Sequence, residues 1–502
     1  MQNYLQSLEG FGINRNLSKR ITECNLCWSQ RRDSNPRPSD YKSEALPAVL
    51  RWRHLSEIDF IDECVGSKIS CNFVAKVMAG EAFLNAAGVE KHGNDTIFSW
   101  WAKFQEAKSA GLPAVNGTIG ALLEDDGSLA INKAVDSAIR NAPEQEIAAY
   151  APLAGLPAFL DLSKTLAFGD AREELEKLGF HFSSTASPGG SGALYLSANN
   201  FLEKGDSALL RDRYWGPYKG FLENNSLDYV TWPLIPKQAD ESHPYFAKLE
   251  FEEKLEMLCS KQSKVMVWLN DPAHNPTGLS MTPSGRMACL ESFVDSAMNN
   301  PNVGHTLLID SAYSLYADET HAWADTILES VENGMMWPEN LLISVAVSLS
   351  KSHTIYGLRT GALVSMHPEK EITDRLDTAL CVTARQTWSA TPRVSQYGVS
   401  ELHSTAEGGA AWTEERDRLK QLLDDRRSSL VSECKELGVP INPTMDGFFA
   451  WIEVDKPVEV AEKCASQGVF LVPLTGGVRI GLCALPLGAV PKVAEALSKA
   501  LS

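Results

Sequence analysis

The sequence predicts an α/β protein: a large domain with a mostly parallel central sheet flanked by helices, followed by a smaller α/β domain. Two observations lead there. Three continuous apolar runs, at 265–269, 306–309 and 341–347, each end in polar residues, which is the pattern of strands buried on both faces of a parallel sheet. Beyond them a long charged helical stretch at 412–437 leads into two further apolar runs, 448–454 and 470–473, and an apolar-striped helix at 490–501, enough for a second, smaller unit.

Taken in order, the chain begins with a head unlike its body. Residues 1–72 include Gln30-Arg31-Arg32-Asp33-Ser34-Asn35-Pro36-Arg37-Pro38-Ser39-Asp40, polar and without helical or strand period, and read as a disordered extension or a segment foreign to the native protein. Helical signals at 73–84 and 95–110 make 73–119 an N-terminal segment expected to pack with the small domain. Residues 120–385 then alternate helix and strand as the large domain, and 386–502 supply the linking helix and the small domain. No internal repeat is visible.

Composition narrows the function. A net charge of -18 and a pI near 5.1 argue against a nucleic-acid or anionic-membrane partner. No apolar run approaches the length of a transmembrane span. The 10 cysteines are scattered through a long chain, as reduced thiols of a cytoplasmic protein are; early Arg and Lys residues leave an organelle address open. Cys24-Asn25-Leu26-Cys27 has no second pair at zinc-site spacing, so no metal is expected.

The chemistry centres on Lys351, in Ser348-Leu349-Ser350-Lys351-Ser352 with Arg359 eight residues on. A lysine at a strand exit is ordinarily a surface residue. Here two serines and an arginine put an anion site beside a carbonyl-reactive amine, which suits pyridoxal 5'-phosphate. Two other strand ends add to it: Asn275 in His274-Asn275-Pro276-Thr277-Gly278 and Asp310 in Asp310-Ser311-Ala312-Tyr313. Singly, these residues read as a turn asparagine, a helix cap and a core aromatic. As ligands bind beyond the carboxyl ends of parallel strands, Asn275, Asp310 and Lys351 should converge on one rim.

These segments, with Gly189-Gly190-Ser191-Gly192-Ala193-Leu194 and Val478-Arg479-Ile480, resemble the class I aminotransferases of the aspartate and aromatic amino-acid type, from about residue 110 to the C-terminus. The resemblance implies the type I fold of pyridoxal-phosphate-dependent transferases and a homodimer. It implies that Lys351 holds the cofactor's aldehyde as an imine and moves the substrate's α-proton, that Asp310 pairs with the pyridine nitrogen, and that Asn275 and Tyr313 donate to the phenolic oxygen. Gly190, Ser191, Ser348 and Arg359 would hold the phosphate, where a glycine turn opening a helix already favours an anion. Trp215 would stack on the ring, and Tyr150 would reach the other subunit's phosphate.

For the substrate, the resemblance assigns Arg479 to the α-carboxylate, whose planar fork suits a guanidinium, and Gly120 to a close backbone approach; Asn275 and Trp215 would also face it. Arg385 stands where dicarboxylate-specific members carry a second arginine from the partner subunit, although Ala390 and Thr391 replace the usual Asn-Pro. The expected function is amino transfer from an L-amino acid, aspartate or aromatic, to a 2-oxo acid by a ping-pong mechanism. Two alternatives share the residues: a pyridoxal-phosphate lyase or aminocyclopropane-carboxylate synthase-like enzyme, and a non-catalytic regulator on the same fold. The regulator would need an N-terminal winged helix, of which the head has no pattern.

Overall fold

The computed structural model describes residues 83–502, apart from His92, Asn94 and Ala239. The extension 1–72 and the helical signal at 73–82 lie outside the described residues. The described residues up to Gly93 belong to a unit separate from the rest, in which the single helical turn Ala86–Val89 is capped by the Asn85 side chain. Everything below concerns residues 95–502.

A seven-stranded sheet forms the centre, in the order β2-β8-β7-β6-β5-β3-β4. Its strands are β2 (His181–Pro188), β3 (Ser207–Arg211), β4 (Asp228–Trp232), β5 (Lys264–Asn270), β6 (Gly304–Asp310), β7 (Leu341–Ser348) and β8 (Thr360–His367). The three apolar runs of the sequence are β5, β6 and β7, adjacent and parallel. Their side chains divide between two cores, Val267, Leu269, Leu307 and Ile309 on one face and Met266, Trp268 and Leu308 on the other. Burial on both sides is why these strands show no polar alternation.

Strand β8 is antiparallel to both of its neighbours, β2 and β7. Because it runs backwards, its first residues lie at the rim where the other strands end. Thr360 pairs with Pro188 and Gly361 with Ser348, so three chain-distant segments meet at one edge of the sheet.

The smaller sheet is antiparallel, in the order β11-β12-β9, from β9 (Phe449–Glu453), β11 (Val472–Leu474) and β12 (Gly477–Gly481). Beside it β1 (Val115–Asn116) pairs in parallel with β10 (Val469–Phe470). The helices Ala406–Glu436 and Val490–Leu501 cover this unit, contributing Leu430, Cys434, Val493 and Leu497 to its core. The helix Thr96–Ser109 starts where the Asp95 carboxylate accepts the amides of Ile97 and Phe98 at 2.8 and 3.1 Å. Its Phe104 packs edge-on against Phe470, ring centroids 6.0 Å apart. The helix Arg393–His403, by contrast, buries Val399 in the core of the large sheet.

Candidate active site

A cavity of about 300 Å³ opens above the carboxyl ends of β5, β6 and β7. Its lining brings together Gly120, Gly190, Ser191, Trp215, Asn275, Asp310, Tyr313, Ser348, Lys351, Arg359 and Arg479. Two predicted residues stay apart from it. Tyr150 is 92% exposed, and Arg385 lies exposed on the helix Lys370–Thr387, donating to Ser389 Oγ at 2.7 Å.

Each polar side chain is held by the strand end that carries it. Asn270, last in β5, accepts the Asn275 amide on its side-chain oxygen at 2.6 Å and donates to the Asp310 carbonyl at 2.8 Å, tying the ends of β5 and β6 together. Asn275 Nδ2 donates to Tyr313 Oη at 3.3 Å. The tyrosine oxygen is thus an acceptor there, which leaves its own proton to point elsewhere. Burial pushes the Tyr313 hydroxyl well above its ordinary pKa, so that proton is retained.

Asp310 is buried and accepts the Tyr218 hydroxyl at 2.6 Å and the Ala312 amide at 3.1 Å. Burial raises its pKa, against which the Tyr218 bond, the charge of Lys351 and the Ala312 amide all act. Lys351 lies in the one-turn helix Leu349–Ser352, its ammonium 5.1 Å from the centre of the Tyr313 ring. It has no ion-pair partner within 4 Å among the described residues. Burial lowers its pKa, Asp310 acts against this and Arg359 adds to it; a larger share of the amine is therefore neutral and nucleophilic.

An anion cradle sits at the opposite end. The helix Gly189–Asn200 begins straight after β2, presenting unpaired amides. Arg359 Nη1 donates to Ser350 Oγ at 3.0 Å and its Nη2 to the Pro188 carbonyl at 3.3 Å. Gly189 has φ +71°, and a Cβ there would stand 2.7 Å from Arg359 Nη2; one on Gly190 would stand 3.0 Å from Ser348 Cβ. Only a bare backbone leaves that space open.

Arg479, on β12, is buried with its guanidinium 4.4 Å over the Phe449 ring. It donates to the Thr118 carbonyl at 2.7 Å and to Asn275 Oδ1 at 3.4 Å, while Nε has no partner. Ile97, Phe98 and Ile119 add apolar surface to the lining. Sequence reasoning passed over Asn270 and Tyr218, and counted Ser350 among the serines of the lysine segment without giving it a role of its own. Ser350 stood inside the lysine segment and Asn270 at the end of an apolar run, so both had a local signal.

Comparison with known proteins identifies the family. The family described as aminotransferase class I and II matches residues 115–497. A tyrosine aminotransferase of Klebsiella pneumoniae is 25% identical over 356 residues, covering 70% of this chain and 83% of that protein. A cytoplasmic aspartate aminotransferase of Schizosaccharomyces pombe is 24% identical over 365 residues, again 70% and 83%. Among solved structures, an aminotransferase of Anaerococcus prevotii superposes with a TM-score of 0.77 at 26% identity, covering 83% of this chain and 98% of its own. With the family matched over most of its length, the chain belongs to the class I and II aminotransferases, enzymes that work with pyridoxal phosphate.

Proposed function

We propose that the cavity transfers the amino group of an L-amino acid, aspartate or aromatic, to a 2-oxo acid in two half-reactions. The observation that carries this reading is the meeting, in one cavity, of a half-buried lysine and a buried aspartate with an arginine and glycine cradle. The residues fit the cofactor. Arg359, Ser348, Ser191 and the helix amides would hold its phosphate, and the bare backbone of Gly189 and Gly190 lets Arg359 and Ser348 come close enough to do so.

Bound there, the cofactor supplies an aldehyde for exchange with the substrate amine and a ring that accepts the electron pair left on the substrate's α-carbon. Lys351 would hold the cofactor through its amine and, once freed, would take and return the proton of the substrate's α-carbon. Asp310 would set a negative charge against the ring nitrogen, and Trp215 would cover the ring. Tyr313 and Asn275 would donate to the phenolic oxygen. Arg479 takes the α-carboxylate with the help of its unpartnered Nε, and Gly120 lets the backbone approach.

We infer a homodimer as well. Tyr150 and Arg385, the two residues assigned to a neighbouring subunit's site, are both solvent-exposed in the single chain. Arg393 ties their segments together by donating to the Tyr150 carbonyl at 3.3 Å and pairing with Glu146 at 2.6 Å. The cytoplasm is the compartment proposed, supported by the free thiols among the described residues; no helix described is long and apolar enough to cross a membrane.

A donor panel of aspartate, tyrosine, phenylalanine and alanine with the purified, cofactor-loaded protein, repeated with Arg385→Ala, tests the reading. Transfer that depends on a 2-oxo acid is expected, with aspartate use lost selectively in the variant. Release of pyruvate or ammonia without transfer would instead indicate the lyase.

A further inference from the structure

We propose that Tyr218 is the positioning residue of Asp310, fixing its carboxylate in one orientation and sustaining its charge through a single short hydrogen bond. The tyrosine opens the helix Pro217–Asn224, directly after Trp215-Gly216-Pro217. Its ring stands edge-on to Trp268 of β5, centroids 5.1 Å apart at 89°, and edge-on to Trp215, 5.7 Å at 87°. Two such neighbours hold the ring at 2% exposure, so the hydroxyl has one direction to point. That direction ends on Asp310 Oδ2 at 2.6 Å.

The other carboxylate oxygen accepts only the Ala312 amide. No cation lies within ion-pair distance of Asp310 among the described residues. The groups that face the pair are Lys351 and Ala312 on the Asp310 side and Tyr313 and Arg211 around Tyr218. Among the influences that act against the desolvation of Asp310, the Tyr218 bond is the largest. The hydroxyl is itself pushed well above its ordinary pKa by burial, so it stays a donor over the whole working range. Hydrogen bonds to a charged acceptor are about twice as strong as neutral ones, and losing one from a buried acid favours the protonated form.

The link from Tyr218 to the cofactor rests on the proposed role of Asp310, whereas the carboxylate's own titration does not. The test is Tyr218→Phe, which removes one oxygen and keeps both aromatic contacts. In cofactor-free protein carrying 13C at the aspartate carboxyls, with the Asp310 signal assigned by its absence in Asp310→Asn, the Asp310 titration should rise by about one pH unit or more, a tenfold change. Incorporation of 3-fluorotyrosine, a more acidic donor, should move it the other way, which a packing role would not do. In loaded enzyme, Tyr218→Phe should lower kcat and shift its pH profile, with KM for the amino acid unchanged. A folded Tyr218→Phe protein whose Asp310 titrates as in wild type overturns the proposal. Full transaminase activity in Asp310→Asn would sink the role of Asp310 instead, and would leave the titration result standing.

Discussion

The Arg479 guanidinium, carried by the small sheet, donates at 3.4 Å to the side-chain oxygen of Asn275, which belongs to the rim of the large sheet. One residue thereby joins the proposed substrate end of the cavity to the proposed cofactor end. Its position over the Phe449 ring and its bond to the Thr118 carbonyl leave the guanidinium little freedom, so in the proposed role the α-carboxylate would meet a donor already in place.

Replacing Arg479 by Ala should therefore act on substrate and spare the cofactor. Loss of a charge-assisted bond costs about 1.5–3 kcal/mol, so kcat/KM for every amino acid should fall by about 10- to 100-fold. The visible absorbance of the bound cofactor should persist. Steady-state kinetics with an absorbance titration checks both.

Lys351→Ala removes the amine that faces Asp310. Amino transfer should fall by at least about 10³-fold, in the range of a lost acid–base group and nucleophile together. Borohydride treatment followed by peptide mass analysis should find the cofactor fixed to residue 351 in wild type and nowhere in the variant.

Gly189→Ala tests the cradle from its backbone side. The residue adopts φ +71°, where a Cβ would meet Arg359 Nη2 at 2.7 Å. The left-handed conformation alone costs about 1 kcal/mol for alanine. The cofactor-free protein should melt a few degrees lower, and cofactor affinity should drop by about tenfold or more. Equilibrium titration of the cofactor-free variant separates the two effects.

Stability should decline in mild acid. His403 is half-buried against Trp412 and meets His353 Nε2 to Nε2 at 3.1 Å; its loss of water brings its pKa down to about 4 from an ordinary 6.5. Between those values the unfolded chain binds a proton that the folded chain refuses. The contribution is therefore complete above about pH 6.5 and lost as the pH falls toward 4. Burial lowers His274, His305, His321, His353 and His367 in the same direction. Urea midpoints across this range should fall, and His403→Gln should flatten part of the slope.

The parts of the fold that could be read from sequence are those whose burial is apolar. Strands β5, β6 and β7 announce themselves by uninterrupted hydrophobic runs, and the rim residues follow because a parallel strand ends where ligands bind. Strand β2 hides behind Ser183, Ser184, Thr185 and Ser187. Its burial is made tolerable by bonds from Ser183 to Asp377 and between Ser163 and Ser184, both 2.7 Å long, and no local pattern foretells them. The helix at 95–110 appears as Thr96–Ser109 and the closing helix as Val490–Leu501, since caps and periodicity are local. Tyr218 was out of reach because its one defining bond crosses 92 positions of chain.

The reversal of β8 constrains how this chain can vary. Ser348 ends β7 and Arg359 stands just before β8, so both limits of the connection between them are set by the same proposed phosphate site, while the strands on either side are locked in pairing from Ile343–Met366 to Ser348–Gly361. Adding one residue to the connection would either bulge it into the cavity or slide β8 by a step, exchanging its inward and outward side chains. Relatives that keep this chemistry should therefore hold the loop length constant here, and accept insertions on the far edge of the sheet, beyond β4.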